Sequence, residues 1–266
     1  MREPTASFDQ LSALRAIAPG RFELNVPDQW QQGRGAFGGL VTATLVRALE
    51  VMAPGRPLRS LTCELCGPTQ PGPASLEAEV LRAGNAVTTV AVRLVQANEV
   101  QAHAVGVLGQ PRANAVDSRS LVAPTLGDWH AVDVLEVGPP LGPVFARHVE
   151  FRPKTLPFSG SAERRLEGWV RFHHPGAARD PAWLAGCIDT WWPTEFMVAE
   201  APRPMATIAF TFQPLGDTAG LDPDAPLYFR SSGVAGAAGY QVEFRELWGH
   251  DGRLLALNQQ TLVMIK

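Results

Sequence analysis

One order of elements occurs twice in this chain, and few architectures accommodate that. In the first half "GRFELNV" reads as a strand, and "AFGGLVTATLVRALEVM" reads as an amphipathic helix with apolar residues at 37, 40, 41, 45, 48, 49 and 52. Four strand-like segments follow: "PLRSLTCELC", "ASLEAEVLRAG", "AVTTVAVRLVQ" and "VQAHAVGVLG". "AGN" and "QANE" separate the last three, as between antiparallel neighbours. The second half repeats the order. "VFARHVEFRP" and "ERRLEGWVRFH" are strand candidates, and "DPAWLAGCIDTWWPTEFMVAE" is a helix opened by Asp180 as N-cap with Pro181 in the first position. "PMATIAFTFQ", "APLYFRSSG", "AGYQVEFRELW" and "RLLALNQQTLVMI" complete the set, with "RSSG" and "GHDG" matching the earlier turns "LRAG" and "QANE". The offset between matching pieces is close to half the chain, which points to an internal duplication. The Pro-punctuated stretch "QPRANAVDSRSLVAPTLGDW" suits a linker. The expected division is residues 1–115 and 116–266, joined across roughly residues 109–143. One helix per half cannot supply the crossovers of a parallel sheet, so the class is α+β, with a helix wrapped by a curved antiparallel sheet in each half.

Composition narrows the partners. A net charge of −3 argues against general affinity for nucleic acid or an anionic membrane. No apolar run approaches the roughly 18 residues that span a bilayer, and the polar start "MREPTASFDQ" is no secretory signal. Three cysteines give no disulfide framework, so a reduced, cytoplasmic setting is expected. Cys63 and Cys66 have C-x-x-C spacing but lie in strand-like sequence, where side chains three apart point to opposite faces. His173-His174 has no second ligand pair at metal spacing, and neither metal nor cofactor is expected.

Several familiar motifs fail on context. "GRGAFGG" carries G-x-G-x-x-G at Gly33, Gly35 and Gly38, but "NVPDQWQQ" before it is a poor buried strand, and no acidic residue ends a second parallel strand. What remains useful is Gly38-Gly39 at a helix start, where amides point outward and the dipole favours negative charge. No G-x-S-x-G, Walker A or H-E-x-x-H pattern is present. A hydrolase built on this chain must activate water with a carboxylate. Asp189 is the conspicuous candidate: on a continuous helix its stripe partners would be Ala185, Trp192 and Phe196, all apolar, so it would be buried with them. Pro193 should loosen the helix beside it. A structural Asp bonded to nearby backbone is the competing reading. Thr207 and Gln260 are polar residues in largely apolar strands, and each taken singly reads more readily as a satisfied core or surface polar residue than as a site residue.

With its tandem units, "AFGGLVTATLVRAL", "VLRAGNAVTTVAVRLVQ" and "GYQVEFRELWGHDGRLLALNQQTLVMI", the chain resembles the TesB-type acyl-CoA thioesterases from about residue 20 to its end. That resemblance implies a tandem double hotdog: two antiparallel sheets, each wrapping a long central helix. It implies hydrolysis of an acyl-CoA to a free acid and CoA, in the context of fatty acid metabolism, with an Asp, a Thr and a Gln positioning water. These fall on Asp189, Thr207 and Gln260, with Gln259 next in line should the register slip by one. Phe210 and Gln213 stand where many relatives carry His, which bears on acyl-chain preference. Gly38 and Gly39 are expected to face substrate, and Trp191, Trp192 and Phe196 to line or support an acyl pocket or simply to fill core. The family also favours a homodimer or dimer of dimers. A non-catalytic acyl-thioester binding protein is the rival reading; a hydratase is disfavoured because neither helix contains His.

Overall fold

A computed structural model describes residues 6–113, 116 and 118–265 of the chain; Ala115, at the expected division between the halves, lies outside the described residues. The main elements among the described residues are the twelve strands of one sheet and four α-helices; a two-stranded ribbon (Gln31–Gln32 with Gly35–Ala36) and short 3-10 turns accompany them. The strands are β1 (Arg15–Ala18), β2 (Arg21–Val26), β3 (Leu58–Leu65), β4 (Gly72–Ala83), β5 (Val87–Gln96), β6 (Glu99–Gly109), β7 (Val149–Pro153), β8 (Arg165–Phe172), β9 (Met205–Pro214), β10 (Leu227–Ala237), β11 (Tyr240–Trp248) and β12 (Leu254–Met264). The helices are α1 (Phe8–Leu11), α2 (Gly38–Met52), α3 (Pro181–Ile188) and α4 (Glu195–Val198). No helix among the described residues is long and apolar enough to cross a membrane.

The sheet order is β1-β2-β4-β5-β6-β3-β9-β12-β11-β10-β8-β7, every pairing antiparallel. Read outward from the β3–β9 junction, β3-β6-β5-β4-β2 is mirrored by β9-β12-β11-β10-β8. This corrects the expectation of two separate sheets: the junction pairs Ala209–Phe212 with Leu61–Glu64 by ladder hydrogen bonds and makes one continuous 12-stranded sheet. An edge strand on each half would be an exposed template, and pairing the two edges removes both.

The second helix also departs from expectation. Asp180 caps it as expected, accepting a hydrogen bond from the Trp183 amide, and Pro181 opens it. It stops at Ile188, however, and Asp189 is its C-cap, while Glu195–Val198 forms a separate short helix. The i, i+3 and i, i+7 relations of Asp189 to Trp192 and Phe196 on one continuous helix therefore do not hold. Pro193 gives the reason: it has no N–H for the Asp189 carbonyl, and it disfavours helical backbone at Trp192. "RSSG" is not a turn either. It lies inside β10, where Gly233 marks a register shift, and the chain reverses at Ala238 (φ 53°) and Gly239 (φ 83°).

α2 and α3 pack against each other antiparallel. A Cβ on Gly39 of α2 would lie 3.0 Å from the Gly186 carbonyl near the end of α3, while Arg47 near the end of α2 reaches Asp180 at the start of α3. Glycine at 39 lets the two helices approach closely, while Gly186 makes room for the Phe8 ring, and the N-terminus of α2 meets the residue that ends α3.

Candidate active site

That residue is Asp189, 7% exposed. Gln260 Nε2 donates to its Oδ1 at 2.7 Å, and Thr207 Oγ1 donates to Gln260 Oε1 at 2.7 Å. The two bonds set the amide: with its oxygen engaged by the threonine, Gln260 presents its nitrogen to the carboxylate. Gln259, one residue back, is on the opposite side of β12, its backbone N–H donating to Thr211 Oγ1.

Strand register explains how Thr207 comes to share a face with Gln260. Phe210 and Phe212 of β9 are buried, and side-chain alternation alone would turn Thr207 to the other face. The register shifts between Thr207 and Ala209, so one extra residue is accommodated there and Thr207 returns to the inner face. A β-bulge re-aims a side chain in this way.

On the other side of the carboxylate are the glycines of α2. A Cβ at Gly38 would lie 2.8 Å from Asp189 Oδ2, so only glycine leaves room for the acid. The Gly39 amide favours the anion, as does the N-terminal end of the 15-residue α2. The anion-favouring helix start noted in the sequence thus has the protein's own carboxylate against it.

Two charged residues that the sequence reading missed complete the surroundings. Arg245 and Glu243 of β11 are 2% and 0% exposed. Arg245 Nη1 lies 3.6 Å from Asp189 Oδ1, and its Nε and Nη2 reach Glu243 Oε2 at 3.2 and 3.0 Å. Glu243 Oε1 accepts from the Thr194 hydroxyl at 2.8 Å and from its backbone N–H. Burial is the dominant influence on Asp189 and pushes its carboxyl up to about 6, while Arg245, Gln260 and the Gly39 amide pull it back toward the anion and Glu243 opposes them. A carboxylate with its proton affinity set near neutrality, hydrogen-bonded and next to a helix N-terminus, can take a proton from water and return it.

The aromatic candidates divide. Trp191 is core: it stacks on Phe229 at 5.3 Å and meets Trp192 edge-on at 5.0 Å. Trp192 is half-buried with its ring tilted against Phe151. Phe196, on α4, is half-buried with its ring against Phe158 at 5.0 Å. Cys63, in β3, is buried, Cys66, just past the end of that strand, is exposed, and both are free thiols.

Comparison with known proteins bears on the family and the fold. Residues 26–109 match the acyl-CoA thioesterase N-terminal domain, and residues 120–264 match the acyl-CoA thioesterase C-terminal domain. Among solved structures, a conserved protein with a hot dog fold from Alicyclobacillus acidocaldarius is similar at a TM-score of 0.86 and 24% identity, covering 99% of each chain. The acyl-CoA thioesterase II TesB2 of Mycobacterium marinum is similar at 0.74 and 16% identity, over 97% of this chain and 98% of that one. The tesB protein of Mycobacterium avium is similar at 0.75 and 16%, with the same coverage. No curated protein matches the sequence. The solved structures share the fold, and the two domain matches together take in both halves: the chain belongs to the acyl-CoA thioesterase family and is a thioester hydrolase.

Proposed function

We propose that the protein hydrolyses an acyl-CoA to a carboxylic acid and CoA with Asp189 as general base. The observation that carries the reading is the buried chain from Thr207 through Gln260 to Asp189, closed on its far side by Gly38. Oδ1 is engaged by Gln260, so Oδ2 is the oxygen that takes the proton of a water. The water oxygen bonds to the thioester carbonyl carbon, giving a tetrahedral oxyanion. Collapse breaks the C–S bond, and the proton held on Asp189 passes to the departing thiolate. Thr207 and Gln260 fix the carboxylate and, through the second N–H of Gln260, the water. The Gly38 amide donates to no backbone carbonyl among the described residues and is our candidate for the oxyanion. Trp192, three residues after Asp189 and only half-buried, is our candidate for the acyl-facing wall, with Trp191 behind it and Phe196 further along the segment.

Incubating the protein with short, medium, branched and aromatic acyl-CoAs and a thiol-reactive dye tests this. Release of CoA with kcat/KM rising through about pH 6 supports the general-base reading. No release from any of the panel overturns it. We place the enzyme in acyl-chain turnover in a reducing compartment, in keeping with three free thiols, and as a homodimer or larger assembly; light scattering at micromolar concentration near the single-chain mass of 28.7 kDa would remove the last point.

A further inference from the structure

β11 is turned inside out. Gln241, Glu243 and Arg245 face the interior while Tyr240 and Phe244, on the opposite side, are about half exposed. Burying Arg245 and Glu243 is costly unless each is paired, and replacing such a pair with apolar residues of similar size is often neutral or favourable. Their placement, bridging the Asp189 carboxylate and the Thr194 segment, suggests a reason for keeping them.

We propose that Arg245, gripped by Glu243, is a positioning residue that supplies the Asp189 carboxylate with its buried counter-charge. The inference rests on the general-base reading of Asp189 and deepens it. The geometry is asymmetric. Two of the guanidinium nitrogens fork onto one oxygen of Glu243, and the third sits 3.6 Å from Asp189 Oδ1 while donating to the Ile188 carbonyl at 3.4 Å. The Phe229 ring lies under the guanidinium at 5.8 Å. Arg245 is therefore anchored by Glu243 and by the end of α3, and it offers Asp189 charge at slightly more than hydrogen-bond distance. An arginine so placed favours the anion without taking the lone pairs that must accept a proton from water. Glu243 limits the effect: a second carboxylate nearby keeps Asp189 from becoming too weak a base. Its other oxygen holds Thr194, so the same pair ties the base to the segment that follows Trp191 and Trp192.

The groups around Asp189 are few. β11 contributes Arg245 and Glu243; β12 and β9 contribute the neutral Gln260 and Thr207; α2 contributes the Gly39 amide. β3 contributes the Cys63 thiol, which burial, Glu64 and Asp189 itself push up and so keep neutral. Arg245 is the one cation in this set, and the pH profile should register it directly.

The test is the pH dependence of kcat/KM in variants of the full chain. Arg245→Met leaves two buried carboxylates without a cation, and the acid limb should move up by about one pH unit or more, roughly a tenfold loss below the new midpoint that recovers at high pH. Arg245→Lys should restore most of the wild-type midpoint. Glu243→Gln should move the limb the opposite way, to lower pH, because the opposing anion is gone. The double variant, without buried charge at either position, should fall between the wild type and Arg245→Met, and together with Glu243→Gln it decides the matter if Arg245→Met fails to fold. A loss equal at every pH, or a Glu243→Gln limb that stays or rises, would make the pair structural and overturn the inference. Asp189→Asn separates the levels: if it keeps turnover, the general-base reading falls and this inference with it. If it is inactive while the Arg245→Met limb is unmoved, only this inference falls.

Discussion

The two halves share a scaffold and differ in what they place on it. β3 shifts register between Leu58 and Ser60, as β9 does between Thr207 and Ala209. Matching the two shifts sets Leu58 against Thr207, and Gly106, the partner of Leu61, against Gln260, the partner of Phe210. In the second half those positions carry the polar chain to Asp189. In the first half they carry a leucine and a glycine, and the Leu49 side chain fills the space over Gly106, where a Cβ would come within 2.5 Å of it. The bulge is therefore a property of the fold, and the hydrogen-bonded polar chain is a property of three side chains set on one copy of it. The ends of the helix pair differ in the same sense. Asp189 faces the open glycines at the start of α2, whereas Glu50, near the end of α2, faces the carboxylate of Asp180 at the start of α3. Both acids are pushed up by burial, but only Asp189 has a hydrogen-bonded polar chain behind it.

If Asp189 is the base we propose, removing its carboxylate should abolish the functional half of this contrast. Asp189→Asn keeps volume and should lower kcat by on the order of 10²–10⁴. Its folded carboxyl is pushed up to about 6 from its ordinary 3.8, so the wild type forfeits stability as pH rises from about 4 to 6 and bears the full cost above that. The variant should gain up to about 2–3 kcal/mol over the wild type at pH 8 and nothing at pH 4, by denaturant titration at both. An active but destabilised variant would return Asp189 to a structural role.

Gly38→Ala acts on the same acid from across the helix pair. Its methyl would sit 2.8 Å from Oδ2, so the carboxylate must move, and kcat should fall by about ten- to a hundredfold. A near-wild-type kcat in this variant would show that the seat tolerates a displaced acid.

Much of this was legible in the chain, and the exceptions have physical causes. The repeated element order, the Asp180 cap, and the placing of Asp189, Thr207 and Gln260 near one another follow from periodicity, cap chemistry and family resemblance. The single sheet was not legible because two edge strands carry no mark of whether they will pair with each other or with another chain. The length of α3 was misjudged because apolar residues continue past Ile188, while Pro193 acts on backbone one and four residues before it. Arg245 and Glu243 escaped notice because "YQVEFRE" alternates cleanly, and the default puts Tyr240, Val242 and Phe244 inside. Only the charged site behind β11 reverses that choice. The bulge at β9 leaves no sequence signal at all, yet it decides which face Thr207 occupies.

Thr207→Val tests that bulge by making the position resemble its apolar counterpart, Leu58. The Gln260 amide loses the hydroxyl that fixes its orientation, and kcat should fall by roughly tenfold, with stability changing by about 1 kcal/mol or less. Thr207→Ser, which keeps the donor, should stay within about threefold of wild type. Equal losses in both would mean that packing of the methyl, not the hydrogen bond, is what the site uses.

The smallest effect is expected at the other end of the helix pair. Burial and the nearby Asp180 push Glu50 up to about 7 from its ordinary 4.5, with Arg47 only partly offsetting them. A raised carboxyl binds its proton more tightly in the folded chain than in the unfolded one. Below about pH 4.5 both states are protonated and Glu50 costs nothing; the cost grows as pH rises toward 7 and is complete above it. Glu50→Gln should therefore stabilise the protein by about 1–2 kcal/mol at pH 8, a figure reduced for the side chain's partial contact with solvent, and leave it unchanged at pH 4. Because Arg47 also holds Asp180 at 2.8 Å and Ser12 at 2.9 Å, it keeps two partners when Glu50 is neutralised, and the helix crossing should persist. Turnover, set at the opposite end of α2, should be unaltered. A fall in kcat with Glu50→Gln would mean that the two ends are mechanically linked through α2 and that the first half does more than support the second.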